Sequence, residues 1–215
     1  MDATFFKRGD GLLVFRTNGR NLYWKEIESE KIEHYESGIR NLSAARFQFQ
    51  SFIIDGRRGV RQLLQRLHPG IPIQQCQFHQ GQYITQKITK RPKLRASKEL
   101  RMILLTLADT TRATFTKKLD QWHQTWGTFV QERTYGNDRK RKWRYKHEKV
   151  RSAYFSLHRN LPWLFTYLDE PTLNIPNTTN SCEGSFTHWK NMVSLHRGLR
   201  RDRKKTMIDY LLEKC

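Results

Sequence analysis

The amino-acid sequence predicts an α/β fold in which a mixed β-sheet is interrupted by a helical insertion. Residues 2–28 alternate short apolar stretches with Gly-Asp-Gly and Asn-Gly turns, which is typical of three antiparallel strands. Residues 32–85 then alternate helical and strand patterns. From about residue 85 the apolar residues follow a helical spacing with few breakers. Three antiparallel strands followed by two helix-linked strands predict a mixed sheet covered by helices.

The first part of the predicted core is residues 1–85. Strands are expected in DATFFK, LLVFRT and NLYWKEI. A helix is expected over about 32–47, followed by a strand that ends at Asp55. A helix over GVRQLLQRLHPG, closed by its Pro-Gly pair, and a strand over IPIQQCQF complete this part.

The rest of the chain divides into a helical insertion, residues 86–164, and a second part of the core, residues 165–215. The insertion is expected to be entirely helical. In the second part, the turn-rich loop TLNIPNTTN precedes a helix that begins near Ser181 and is expected to break around Gly198.

The charge of the chain indicates an anionic partner. Its 215 residues carry 40 Lys and Arg against 20 Asp and Glu, a net charge of +20. The phosphate backbone of nucleic acid is the simplest partner, and an acidic membrane surface is the alternative. A hydrophobic content of 37% argues against general disorder, and no apolar run is long enough for a membrane span. Three scattered cysteines and the absence of a signal segment predict a reducing, cytoplasmic setting.

Three carboxylates lie where the predicted strands and the late helix are expected to meet. Asp2 lies in the first strand, Asp55 ends the fourth, and Glu183 lies in the first turn of the late helix. If the first and fourth strands are neighbours, the two aspartates face each other and the helix acid completes a cluster. Three such carboxylates can hold two Mg²⁺ or Mn²⁺ ions about 3.5–4 Å apart, which activate a water or 3′-hydroxyl at a phosphodiester.

Each acid also has a simpler interpretation. Asp2 is compatible with a disordered terminal residue, and Asp55 with an Asp-Gly turn. Glu183 is compatible with half of a capping box, because Asn180 precedes it by three residues. The residues alone leave these alternatives open.

Four motifs follow one another along the chain. They are DATFFKRGDGLLVFR around the first acid, FIIDGRRGV around the second, CQFHQ at residues 76–80, and NSCEGSFTHWK, in which Lys190 follows the acid by seven residues. This order resembles the DDE transposases of the RNase H-like superfamily, in particular the Mutator-like group of bacterial insertion sequences. The resemblance covers nearly the whole chain. It implies an RNase H-like fold in which Asp2, Asp55 and Glu183 form the catalytic, metal-binding triad.

The resemblance further implies DNA transposition, with metal-dependent cleavage at insertion-sequence ends followed by attack of the freed 3′-hydroxyl on target DNA. The implied partners are double-stranded DNA and further copies of the chain, in the nucleoid of a bacterial cytoplasm. Two features differ from the family pattern. Only Met1 precedes Asp2, so half of the first strand is expected to be missing, and the family's N-terminal DNA-binding region is absent. The sequence is therefore expected to represent a catalytic-domain fragment or a late start of the chain.

Basic residues are expected to hold DNA phosphates. Lys190 lies two helical turns after Glu183 on nearly the same face, with an ordinary solvated lysine as the alternative. The segments NDRKRKWRYKHEKV and HRGLRRDRKK have the composition of phosphate-contacting surfaces, with a solvated helix face or loop as the alternative. The candidate phosphate ligands are Lys190, Arg197, Arg139, Lys140, Arg141, Lys142, Arg144 and Lys146.

Four further residues are candidates for supporting roles. Cys76 and His79 are compatible with a zinc site that also uses Cys182 and His188, or with a buried cysteine beside an ordinary histidine. The family resemblance instead implies that Cys76 and His79 lie beside the active site.

The other two supporting candidates are tryptophans of the insertion. Trp122 and Trp126 are four residues apart on a predicted helix, which suits core packing first and stacking of an unpaired base second.

Two other functions remain open at this stage. One is a different nuclease of the RNase H-like superfamily. The other is a catalytically impaired, transposase-derived protein that only binds DNA, which the shortened first strand makes plausible.

Overall fold

Three antiparallel strands open the chain in the computed structural model, which describes residues 1–135, 142–196 and 198–214. Their order in the sheet is β1 (Asp2–Lys7), β2 (Asp10–Thr17) and β3 (Arg20–Ile27). Asp2 pairs with Val14, which in turn pairs with Trp24. The meander predicted from the sequence is confirmed.

Strands β4 and β5 form a second, parallel sheet of two strands. The segment after β3 runs through α1 (Ile32–Ala44), β4 (Phe52–Ile54), α2 (Arg58–Leu67) and β5 (Ile73–Gln75). These are the predicted helices and strands, but the prediction of one mixed sheet is wrong for the described residues. The amino nitrogen of Met1 donates to the carbonyl of Ile53 at 3.1 Å. Met1 immediately precedes β1, so this hydrogen bond joins the start of that strand to β4, whereas a ladder needs several such bonds.

Two late helices cover one face of the three-stranded sheet. They are α8 (Asn180–Leu195) and α9 (Arg201–Glu213), so the predicted break around Gly198 is confirmed. Cys182, Phe186 and Trp189 lie on one face of α8 and pack against Leu12 and Val14 of β2. This burial fixes α8 against the sheet.

Helix α1 packs against the opposite face of the sheet, and Gly38 of this helix lies at the contact. The ring of Phe15 contacts Tyr23 edge-on, with ring centroids 5.6 Å apart. A Cβ atom at Gly38 would lie 2.5 Å from the Phe15 ring, so this position of α1 has no space for a side chain.

We expect Gly38→Ala to destabilise the protein. The added methyl group must displace the Phe15 ring, and overpacking of a core costs about 1–3 kcal/mol. Urea denaturation measures the change in the free energy of unfolding. Gly184→Ala is the control, because a Cβ there meets no atom within 4 Å, and it should leave stability unchanged or raise it. Equal effects of the two substitutions would contradict the packing described.

The chain divides into two units, and the second is inserted into the first. The first comprises Met1–Ile73 with Thr179–Cys215, and the second comprises Gln74–Thr178. The insertion is therefore longer than the predicted 86–164 at both ends. Hydrogen bonds explain the difference, because the buried Gln74 amide donates to the Leu164 carbonyl at 3.1 Å and the Gln77 amide nitrogen donates to the Asn177 carbonyl at 2.9 Å.

The second unit is built mainly from helices around one apolar core. Its helices are α3 (Gln77–Ile88), α4 (Arg95–Leu105), α5 (Arg112–Gln131), α6 (Glu148–Leu164) and α7 (Thr166–Asp169). Leu100, Phe115, Leu119, Leu157 and Phe165 are among the fully buried residues of this core. The helical character predicted for the region is confirmed.

A short hairpin in the second unit is the exception to this helical pattern. Strands β6 (Arg133–Tyr135) and β7 (Trp143–Tyr145) pair in antiparallel fashion, so the prediction of an entirely helical insertion is wrong here. The Arg133 guanidinium lies 4.1 Å from the centroid of the Trp143 ring. Such cross-strand contacts between aromatic and basic side chains stabilise a hairpin whose sequence is dominated by charge.

Candidate metal-binding site

Two of the three predicted acids lie close together in the first unit. Asp2 is the first residue of β1 and only 5% exposed, and Glu183 is half-buried in the first turn of α8. A carboxylate oxygen of each lies within 4.8 Å of the other. The burial of Cys182 and Phe186 against the sheet brings the start of α8 to β1. Residues far apart in sequence thus form a carboxylate pair.

Both oxygens of Asp2 accept hydrogen bonds. The Ala3 amide donates to Oδ1 at 2.8 Å, and the Thr179 hydroxyl donates to Oδ2 at 3.4 Å. A buried strand residue with two such partners is not a disordered terminal residue. The carboxylate is therefore held in one orientation in advance of any ligand.

Glu183 does not take part in a capping box. The N-cap of α8 is Thr179 rather than Asn180, and its side chain makes no capping hydrogen bond. The Glu183 amide donates to the Thr179 carbonyl at 3.2 Å, so Glu183 is the fourth residue after the N-cap. A capping box uses the third residue after the N-cap. The capping interpretation of Glu183 is therefore wrong.

Asp55 lies in the turn that its Asp-Gly sequence predicts. Its Oδ1 accepts a hydrogen bond from the Arg57 amide at 3.1 Å, and its Oδ2 lies 3.8 Å from Arg57 Nε. Gly56 between them has a φ of 102°, which favours glycine. The three predicted acids do not all lie within 4.8 Å of one another. Asp55 is thus engaged by Arg57 instead of completing the cluster.

A fourth acid, Glu30, joins this arrangement through Arg57. The guanidinium donates to the Glu30 carbonyl at 2.9 Å and pairs with its carboxylate at 2.7 Å. The other Glu30 oxygen accepts a hydrogen bond from the Tyr35 hydroxyl. Burial raises the pKa of the Tyr35 hydroxyl far above its ordinary value. The negative charge of Glu30 raises this pKa further, and those of Asp55 and Asp2 add smaller contributions. Asp2 and Asp55 therefore lie near the same buried ring.

Sequence reasoning did not identify Glu30, Tyr35, Arg57 or Thr179. Arg57 directly follows the Asp-Gly pair, so its proximity to Asp55 was readable from the sequence. Glu30 and Thr179 lie in polar loop segments that carry no periodic signal. Only the packing of α1 and α8 brings them to the acids.

The predicted phosphate ligands fall into three groups. Lys190 lies on α8, exposed and without an ion pair among the described residues. Lys142 and Arg144 are exposed at β7, and Lys146 pairs with Glu132 at 3.1 Å. The remaining four, Arg139, Lys140, Arg141 and Arg197, lie outside the described residues.

The basic segment at residues 196–205 is partly occupied by internal ion pairs. Lys204 pairs with Asp10 of β2 at 2.5 Å, and Lys205 pairs with Glu26 of β3 at 3.4 Å. Arg200 pairs with Asp202 at 3.2 Å. The two lysines thus help to attach α9 to the sheet, which corrects the prediction that they belong to a free phosphate-contacting surface.

The zinc interpretation of the cysteines finds no support. Cys76 is fully buried, and Cys182 is buried as well. Burial raises the pKa of the Cys182 thiol, which disfavours the thiolate that zinc requires. Within the described part of the chain, no group of three potential metal ligands includes a cysteine.

The two tryptophans of α5 pack inside the second unit. Trp122 is 3% exposed, stacks on Tyr154 and donates to the Ala96 carbonyl at 2.9 Å. Trp126 donates to the Glu99 carboxylate at 2.7 Å. Core packing is therefore the role of Trp122 in this structure, and its ring is not available to an unpaired base.

Comparison of the chain with protein-family models, with curated proteins and with solved structures finds no match in any of the three. None of the described helices has the length and apolar composition needed to cross a membrane.

Proposed function

We propose that the chain is the catalytic domain of a DDE-type transposase, which cleaves DNA at insertion-sequence ends and transfers the freed strand in a metal-dependent reaction. One observation carries the proposal. The buried strand acid Asp2 and the helix acid Glu183 hold carboxylate oxygens within 4.8 Å of each other, although most of the chain separates them in sequence. The order of the sequence motifs and the net charge of +20 support it.

The donor set suits a hard divalent cation such as Mg²⁺ or Mn²⁺. Carboxylate oxygens are the preferred ligands of these ions, and a pair of like charges so close together favours a cation between them. Asp2 and Glu183 would hold the first ion. Asp55 would complete a site for two ions after it exchanges Arg57 for the metal. Bound ions would activate a water or a 3′-hydroxyl and stabilise the leaving oxygen of the phosphodiester.

The chain's own residues would prepare the site in two ways. The hydrogen bonds from Ala3 and Thr179 orient the Asp2 carboxylate before the substrate arrives. The exposed ammonium of Lys190, seven residues after Glu183 on α8, would hold a phosphate of the DNA. The role beside the active site that the resemblance implies for Cys76 and His79 stays a prediction.

Nicking of a supercoiled plasmid in Mn²⁺ tests the proposal without knowledge of the element ends. The wild-type chain should convert the plasmid to the open circle, and Asp2→Asn should not, because the neutral amide is a weak metal ligand. Asp109→Asn, which alters an exposed aspartate of the second unit, serves as the control and should nick normally. Nicking by Asp2→Asn at the wild-type rate would reject the proposal.

One observation favours a second candidate function, that of a transposase-derived protein that binds DNA without cleaving it. Both oxygens of Asp55 face Arg57, so a complete triad is not assembled in this structure. Binding of DNA in EDTA together with no nicking in Mn²⁺ or Mg²⁺ would support this alternative. Cleavage of RNA·DNA hybrids but not of DNA would instead favour another nuclease of the RNase H-like superfamily.

A further inference from the structure

A basic groove lies on the second unit between β7 and the first turns of α6. Its volume is about 540 Å³. The lining residues include Tyr145, Glu148, Arg151, Phe155, His158 and Arg159. On α6, Glu148, Arg151, Phe155 and Arg159 recur at intervals of three and four residues, so they share one face of that helix. Arg151, Phe155, His158 and Arg159 lie beyond the basic segments that the sequence analysis selected.

Arg151 is held in this groove by two aromatic rings. Its guanidinium carbon lies 4.0 Å from the centroid of the Tyr145 ring and 4.4 Å from that of Phe155. No carboxylate pairs with it within the described part of the chain. Cation–π contacts take up the face of a guanidinium and leave its N–H edges free to donate. Arg151 is thus a pre-oriented donor for a planar anion.

The charges of the groove suit a chain of phosphates better than a single anion. Arg159 is exposed and follows Arg151 by eight residues, a rise of ~12 Å along the helix. A DNA strand rises ~3.4 Å per phosphate, so this span covers several phosphates. His158 lies exposed beside Arg159. Glu148 is the one acid of the lining, at the hairpin end of the groove.

We propose that this groove binds the phosphate backbone of DNA, with Arg151 and Arg159 as phosphate ligands. Tyr145 and Phe155 orient Arg151 and do not stack on bases, because the guanidinium covers their faces. Binding here is therefore independent of base sequence and weakens with salt. The inference rests on the proposed function in taking DNA as the partner, but it does not depend on the metal site.

The test is the anisotropy of a fluorescent DNA duplex of arbitrary sequence, titrated with the full chain in EDTA. Arg151→Ala and Arg159→Ala should each weaken binding, by roughly tenfold for Arg151, and lower the salt dependence by about one counterion. Lys98→Ala is the matched control, since it removes one charge from an exposed position of α4 in the same unit, outside the groove and outside both basic segments. Its effect should be less than about twofold. Arg159 is exposed, so Arg159→Ala should not disturb folding. It therefore tests the groove even if Arg151→Ala fails to fold.

Two further variants test the geometry and the charge of the groove, and Tyr145→Leu tests whether bases stack there. Arg151→Lys keeps the charge but loses the planar fork, and should bind more weakly than the wild type while it keeps the wild-type salt dependence. Glu148→Gln should strengthen binding, because it removes the acid of the groove. The inference is overturned if Arg151→Ala and Lys98→Ala behave alike, if the wild-type chain binds no duplex, or if only Tyr145→Leu matters and only for single strands. Because EDTA excludes metal, loss of nicking with intact duplex binding would count against the proposed catalysis alone.

Discussion

Glu183→Gln is expected to abolish DNA nicking while leaving the protein as stable as the wild type or slightly more stable. The glutamine keeps the size of the side chain, and the capping role that it would disturb is not present in α8. Removing one of two neighbouring carboxylates also relieves their repulsion in the metal-free protein. A metal ligand of this kind is worth at least about a hundredfold in rate. Plasmid nicking and urea denaturation measure the two effects.

Glu28→Gln is the matched control for this experiment. Glu28 is an exposed acid of the same unit and undergoes the same chemical change. It should nick DNA at the wild-type rate. If Glu183→Gln loses stability and activity together, Glu183 has a structural role and its assignment as a metal ligand fails.

Arg57→Gln is expected to strengthen Mn²⁺ binding by about tenfold or more. The Arg57 guanidinium lies 3.8 Å from Oδ2 of Asp55, and its removal frees that oxygen for the metal, while the backbone amide of residue 57 still donates to Oδ1. The exposed ion pair itself is worth at most about 1 kcal/mol, so the exchange is easy. The larger part of the effect comes from the gain of the Asp55 carboxylate as a metal ligand, and removal of a positive charge near a divalent cation adds a smaller part. Calorimetric titration with Mn²⁺ measures the affinity.

A double-mutant cycle distinguishes release of Asp55 from a general change in charge. In an Asp55→Asn background, Arg57→Gln should gain much less affinity, because no carboxylate remains to be freed. Arg40→Gln provides a control, since it removes an arginine of the same unit whose partner is Glu36. An undiminished effect of Arg57→Gln in the Asp55→Asn background would show that Arg57 acts only through its charge.

The local elements of the fold were largely predictable from the sequence. Turns with glycine and alternating apolar residues determine β1 to β3, and the helical spacing of Phe186 and Trp189 determines the buried face of α8. These patterns depend on residues close together in the chain. The break between α8 and α9 near Gly198 follows from the same kind of signal.

The pairing of β4 and the boundaries of the insertion were not predictable in this way. Both depend on hydrogen bonds between distant residues, such as that between the Met1 nitrogen and the Ile53 carbonyl or that between Gln74 and Leu164. A buried glutamine does not contribute to the hydrophobic periodicity of the sequence, so such contacts cannot be predicted from that periodicity. The hairpin β6–β7 was missed for a related reason, because its strands hold three residues each and their charges hide the strand signal.

For the candidate site, the sequence predicted the acids but not their partners. Asp2 and Glu183 lie together as expected, whereas Asp55 takes the turn that its Asp-Gly sequence also allowed. The choice between these roles is made by Arg57, which Glu30 holds in position. A contact between residues 30 and 57 depends on how the loop before α1 lies against the start of α2, and no local pattern encodes it.

Calorimetric titration of Mn²⁺ into the wild-type chain and into Glu183→Gln tests the central claim most directly, because it needs neither DNA nor turnover. The account predicts saturable binding that the substitution weakens at least tenfold, about 1.4 kcal/mol. Equal binding by the two proteins, or no binding by a folded wild-type chain, would contradict the assignment of Asp2 and Glu183 as a metal site.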